Sequence, residues 1–378
     1  MVGRMPGPSL PLSVLDLVPI ATGSGAAEAL RNTVDLAQHA EAAGYARYWI
    51  AEHHLNPGVA GTSPPLVIAL VAAATERIRV GSGAVQLGHQ TPLSVVEQFG
   101  ILDALHPGRI DLGLGRSGSR RPPGGMTVEP RPGRVTDRGL VIPAPFPVAA
   151  LLKSPRFALH AKLLQQPGAE TPPYTEQIDE LLALLHDGYR SADGVVARAA
   201  PGGGADVEVW ILGSSGGESA VLAGELGLPF GANYHVSPST VLDAVDAYRG
   251  AFRPSPSLEQ PRVLVSADVV VAPDDDTARE LASPYALWVR SIRCGEGAIE
   301  FPTPDAAAAY EWSDDERALV ADRIDTQFVG SPSTVAAQLD VLAAETGADE
   351  LLITTITHDH ADRVRSYELL AEEWRTRG

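Results

Sequence analysis

Short apolar, β-favouring runs alternate along this chain with longer stretches whose apolar residues recur at helical spacing. Ser13–Ile20 reads as a strand and Ala21–Gly25 as a loop. Ala26–Ala43 reads as a helix with a stripe of Leu30, Val34, Leu36, Ala37 and Ala40, closed by Gly44. A strand from Ala46 follows, then a helix capped at Ser63 and running to Thr75. Ile78–Leu87 is a strand; Thr91 caps and Pro92 opens a helix to Leu105; Arg109–Leu114 is a strand. The pattern then breaks over Gly115–Gly168, which is rich in Gly, Pro and Arg. Alternation resumes with a helix at Thr175–His186 and a strand at Val207–Leu212. Next come a helix from about Gly217 to Leu226, a strand at Leu228–Ala232 and a helix at Pro238–Phe252. Arg262–Val271 is a strand, Thr277–Arg290 a helix, and Cys294–Asp325 reads as a second irregular insertion. Pro332–Thr346, Glu350–Ile356 and His360–Arg375 give a helix, a strand and a helix.

Eight strands joined through helices imply parallel pairing and right-handed crossovers. Eight is the number that closes a (β/α)8 TIM barrel, so the class is α/β. The expected organisation is one domain over residues 1–378, with insertions at about 115–170 and 291–327. The first insertion holds the apolar run Leu140–Leu164, and it reads as a lid over the barrel mouth, mobile near its start.

Composition narrows the function. The chain has 378 residues, 44% of them hydrophobic, and a net charge of −18. Such an acidic surface argues against nucleic-acid and anionic-membrane binding. Cys294 is the only cysteine, which excludes an intramolecular disulfide and a cysteine metal cluster. No apolar run is long enough to span a bilayer, and a cytoplasmic protein is expected.

Four stretches carry chemistry. In Tyr45–Gly58 (YARYWIAEHHLNPG) a buried strand ends in Glu52, His53 and His54. In a parallel barrel that end bears catalytic groups, and alternation sends the two histidines opposite ways. Arg116 follows the strand in LHPGRIDLGLGR, flanked by glycines; it reads either as a surface arginine or as an anion contact. Ser214, Ser215, Gly216 and Gly217 lie between a strand and a helix. They read either as a phosphate-binding loop or as a plain helix cap, without the spacing of a P-loop or dinucleotide fingerprint. At His358–His360, Asp359 is expected to cap the last helix and His358 to face the mouth; the spacing fits no known metalloenzyme motif, so no metal is expected.

Together these residues resemble the bacterial luciferase-like flavin monooxygenase family. The likeness is carried by the Glu–His–His after a Tyr–Trp strand, VGSGAVQL (Val80–Leu87), PGRIDLGLGR (Pro107–Arg116) and FVGSP (Phe328–Pro332). Within the family the chain looks most like the actinomycete branch that tailors aromatic polyketide antibiotics, the branch of the mensacarcin-pathway oxygenase. The resemblance implies that His53 is the active-site histidine near the flavin C4a position. It implies a non-prolyl cis peptide at Gly83–Ala84 beneath the isoalloxazine ring. It places Arg116 and Ser214–Gly217 around the FMN phosphate, in a loop one residue longer than usual. The implied reaction uses reduced FMN, supplied by a separate flavin reductase, and O2, through a C4a-hydroperoxide that hydroxylates, epoxidises or Baeyer–Villiger-oxidises an apolar small molecule. With a free pKa near working pH, His53 is expected to exchange protons there. Two alternatives stay open: an F420-dependent oxidoreductase on the same fold, and a non-catalytic flavin-binding protein. Apolar residues beyond one stripe in the helices Pro64–Thr75 and Pro92–Leu105 predict a homodimer.

Overall fold

A computed structural model describes residues 10–116, 131–147 and 155–377. Eight parallel strands form the barrel: β1 (Leu12–Asp16), β2 (Arg47–Ile50), β3 (Arg79–Ser82), β4 (Ile110–Gly115), β5 (Glu208–Gly213), β6 (Phe230–Asn233), β7 (Val263–Val271) and β8 (Glu350–Thr354). Each pairs with the next, and β8 pairs back onto β1, so the sheet closes. Around it run α1 (Ala26–Ala43), α2 (Pro64–Ala74), α3 (Pro92–Leu105), α4 (Tyr174–Leu185), α5 (Glu218–Glu225), α6 (Val241–Ala251), α7 (Pro332–Thr346) and α8 (His360–Thr376). This is the expected (β/α)8 barrel with insertions.

Alternation along each strand separates two cores. The outward set, including Val14, Tyr48, Val80, Ile110, Ile211 and Val265, packs under the helices. The inward set stacks in layers. Leu15, Trp49, Trp210, Leu264 and Leu352 fill the middle, with the indoles of Trp49 and Trp210 edge to face at 5.3 Å between centroids. The floor is charged. Arg47 Nη1 donates to Asp111 Oδ2 (2.7 Å) and Glu208 Oε2 (2.6 Å), and its Nε to Glu350 Oε1 (3.0 Å). At the upper end glycines replace side chains. A Cβ on Gly113 would lie 2.0 Å from Ser82 O, so only glycine fits between β3 and β4 there.

Several elements depart from the expected pattern. β1 stops at Asp16 rather than Ile20, because its Oδ1 accepts the N–H of Val18 (2.7 Å), which turns with φ 56°. The strand expected over Ile78–Leu87 is split into Arg79–Ser82 and Val85–Gln86. The helix expected over Thr277–Arg290 is two helices, Asp275–Ala282 and Tyr285–Arg293, since Pro284 cannot continue the hydrogen-bond ladder. The second insertion is not irregular: it holds helices Pro304–Ala308 and Asp314–Ile324, the latter opened by a Ser313–Glu316 capping box. In the first insertion the described part is a two-stranded ribbon (Arg134–Val135 with Val141–Ile142) and a helix, Pro155–Leu164. The expected mobile start of that lid, 117–130, lies outside the described residues. No helix among the described residues is long and apolar enough to cross a membrane.

Candidate active site

The C-terminal ends of the strands open into a cleft of about 430 Å³. Leu15, Leu17, Leu212, Leu264 and Leu352 make its apolar depth, and Gly83, Gly115 and Gly231 keep it open. Of the residues singled out in the sequence, His53, Gly83, Ala84, Arg116, Ser214, Ser215 and Gly217 all line it. Gly216 does not: its Cα faces α6, where a Cβ would lie 2.7 Å from Asp243 O, so it packs the loop onto that helix.

His53 sits just past β2, with its amide donating to Gly61 O at 2.7 Å. Its Nδ1 is buried with no hydrogen-bond partner among the described residues. Burial, only partly offset by the Glu52 carboxylate, pushes its pKa down to about 4. The expectation of a histidine titrating near working pH therefore fails: this ring is neutral at pH 7. His54 turns away, its Nε2 2.7 Å from Glu52 Oε1, as the opposite facing of the pair predicts. The other Glu52 oxygen accepts the Gln86 amide at 2.8 Å, and Gln86 Nε2 donates to Glu52 O at 2.6 Å. Glu52 thus ties the end of β2 to the turn after the Gly83–Ala84 peptide, which is cis.

Across the cleft, Arg116 Nη1 meets Glu218 Oε2 at 2.8 Å. Glu218 opens α5, and Gly217 caps that helix without a side-chain hydrogen bond; the Ala220 amide donates back to Gly217 O at 3.1 Å, and the amides ahead of it, at Glu218 and Ser219, stand at the positive helix end, where an anion is favoured. The donor set suits a flavin mononucleotide. The glycine-lined apolar slot would suit a flat ring, the His53 Nδ1 is a buried polar atom open to a ligand, and the Arg116 guanidinium beside a helix N-terminus would suit a phosphate.

The sequence reading missed His235. It stands at the end of β6, opposite β2 in an eight-stranded ring, and lines the same cleft. Its Nδ1 is 2.6 Å from Ser266 Oγ on β7. Burial, with smaller contributions from Arg323 and His53, pushes its pKa down to about 3. No local motif marks it; only barrel closure brings Ser266 beside it. His358 does not face this cleft. Its Nε2 is 3.1 Å from Thr22 O in a separate polar hollow of about 320 Å³ beside Asp359, which caps α8 as expected.

The family model described as luciferase-like monooxygenase matches residues 10–136 and 153–350. The chain belongs to this family. It is 38% identical to the uncharacterized protein YvbT of Bacillus subtilis (strain 168), over 97% of each chain. It is 33% identical to a luciferase-like monooxygenase of Escherichia coli (strain K12), over 96% of each. Among solved structures it is similar to apo-MsnO8, at 32% identity and a TM-score of 0.77, covering 97% of this chain and 98% of that one. This luciferase-like monooxygenase is an oxidoreductase of the FMN-dependent type. Members of this family use externally reduced flavin and small-molecule substrates.

Proposed function

We propose that His53 is the catalytic proton-handling residue of this monooxygenase, and that Arg116, Ser214, Ser215 and Gly217 hold the FMN phosphate. The observation that carries this reading is the unpartnered Nδ1 of His53 in a cleft whose far wall offers a cation and uncapped helix amides. Bound reduced FMN supplies the activation of O2. The chain does the rest. Gly83 and Ala84 give the ring a flat seat, and the leucines exclude water. Neutral His53, at about pKa 4, gives or takes a hydrogen bond at the flavin edge without adding charge.

The substrate is an apolar organic molecule; the leucine-lined depth and the likeness to apo-MsnO8 support an aromatic polyketide from antibiotic tailoring. A separate flavin reductase delivers the reduced flavin, in the cytoplasm. The working unit is a homodimer joined through α2 and α3. Leu66 (70% exposed) and Leu70 on α2, with Leu93, Ile101 and Leu105 on α3, leave an apolar face uncovered.

The test supplies reduced FMN and 18O2 with a panel of aromatic ketones and phenols. Label should enter one product in the wild type. In His53→Ala that product should fall about two to four orders of magnitude, with FMN affinity kept and H2O2 rising instead. Full labelling by His53→Ala would remove His53 from the role. No labelled product from the wild type, with hydride transfer from reduced F420, would replace the reading with a deazaflavin enzyme.

A further inference from the structure

We propose that Glu218 is a built-in competitor for the flavin phosphate. It occupies the Arg116 guanidinium when phosphate is absent, and so weakens the protein's grip on FMN without touching its grip on the isoalloxazine ring. The inference depends on the FMN reading above and adds a residue that sets cofactor affinity and phosphate selectivity.

Four observations carry it. Glu218 Oε2 lies 2.8 Å from Arg116 Nη1, and both side chains line the cleft beside Ser214 and Ser215. Arg116 is the one cation among the described residues that line it. The Glu52 carboxylate of the same cleft is already committed to His54 and the Gln86 amide. Glu218 is also the first residue of α5, which puts an acidic residue in the first turn at the positive helix end.

Charge decides the sign. The guanidinium brings one positive charge and the helix end about half of one. The Glu218 carboxylate cancels one, so the phosphate seat offers a net of about half a charge to an anion of about −1.5 to −2. Without Glu218 the seat offers about three times as much. An incoming phosphate must either displace the carboxylate from Arg116 or sit beside it as a like charge. Riboflavin has no phosphate and meets neither cost. A weak phosphate grip also suits a flavin that arrives reduced from another protein and leaves oxidised.

The opposite sign has a structural rationale too. If Glu218 orients Arg116 so that its remaining N–H groups face the phosphate, removing the carboxylate weakens FMN binding. The two accounts differ in direction, and one experiment separates them.

Oxidised FMN and oxidised riboflavin are titrated into the full chain by flavin fluorescence, for wild type, Glu218→Gln and Glu218→Ala. Inorganic phosphate is added as a competitor. Both variants should tighten FMN by about tenfold and leave riboflavin within about twofold. Inorganic phosphate should compete with FMN at lower concentration in the variants than in wild type. FMN release in stopped flow should slow in proportion. Unchanged or weaker FMN binding in both variants overturns the proposal, as does equal tightening of riboflavin, which would mean a reshaped ring site. Failure of the underlying FMN reading looks different: neither flavin binds wild type or variants, and both readings fall together. The Glu218 side chain lines the cleft and is 26% exposed, outside the packed core, so the variants should fold; the circular dichroism of each is the control.

Discussion

A neutral His53 has a measurable thermodynamic consequence. In the unfolded chain the ring takes up a proton as pH falls through about 6.5. In the folded protein burial delays this to about pH 4. Between those values the unfolded state binds more protons, so stability is full above pH 6.5 and is lost as pH falls towards 4. From pH 7.5 to 5.0 the displaced midpoint is worth about 2 kcal/mol. The ring borders an open cleft, and solvent screening brings the expected figure to between about 1 and 2 kcal/mol. His235 titrates in the same direction, so wild type alone does not isolate the term. Urea unfolding of wild type and His53→Gln at both pH values does, because glutamine cannot take up the proton. Wild type should lose about 1–2 kcal/mol more than His53→Gln on acidification. Carbon-13 NMR of the imidazole Cε1 should show one resonance with a midpoint below 5 that vanishes in the variant. A midpoint near 6.5, with equal acid sensitivity of the two proteins, would refute the buried neutral ring.

Two other consequences can be checked directly. Arg47→Met should cost about 1.5–3 kcal/mol in denaturant unfolding, since it removes the cation shared by Asp111, Glu208 and Glu350 and leaves Asp111 to Arg79 and Glu350 to Arg262; a cost under about 1 kcal/mol would show that the remaining arginines suffice to hold the floor. The double substitution Leu66→Glu with Leu105→Glu, at two exposed apolar positions, should turn a dimer into a folded monomer in light scattering, and a wild-type monomer at micromolar concentration would dismiss the dimer.

How much of this was legible in the sequence depended on how local the cause was. α1 and its Gly44 terminus could be read because an apolar stripe and a glycine with φ 87° are properties of adjacent residues. α3 and α7 have the bounds their Thr91–Pro92 and Ser331–Pro332 openings announce. The helix Asp314–Ile324 was legible but missed: Ser313 and Glu316 spell a capping box, obscured by the polar surroundings. That one histidine of the pair reaches the cleft followed from their place after β2, and the family resemblance singled out His53, but its proton affinity was not legible, because desolvation depends on residues from the whole ring. His235 with Ser266, and Arg47 with Asp111, Glu208 and Glu350, are pairings of residues far apart in sequence. Each partner looks like an ordinary polar residue in a strand until closure brings it to another.

Layering explains why the same inward positions do such different work at the two ends of the barrel. Arg47, Arg79, Glu208 and Glu350 are each the first residue of their strand, and Asp111 the second of its own. At that end side chains converge and exclude water, so charges survive there only by pairing, and the pairs fix which strands are neighbours. One layer up, Trp49 and Trp210 seal the floor from the mouth; Arg47 and Arg262 lie 5.0 and 4.9 Å from the Trp210 ring centroid, and Trp49 Nε1 donates to Asp111 at 2.9 Å. Above the seal, glycines at 83, 115 and 231 give up packing that a larger side chain would supply. The cleft is therefore a region where stability was not maximised. Among the described residues His53 Nδ1 has no partner there, and the Arg116 guanidinium is paired with Glu218. Substitutions at the mouth should consequently change binding before they change folding, while those at the floor should do the reverse.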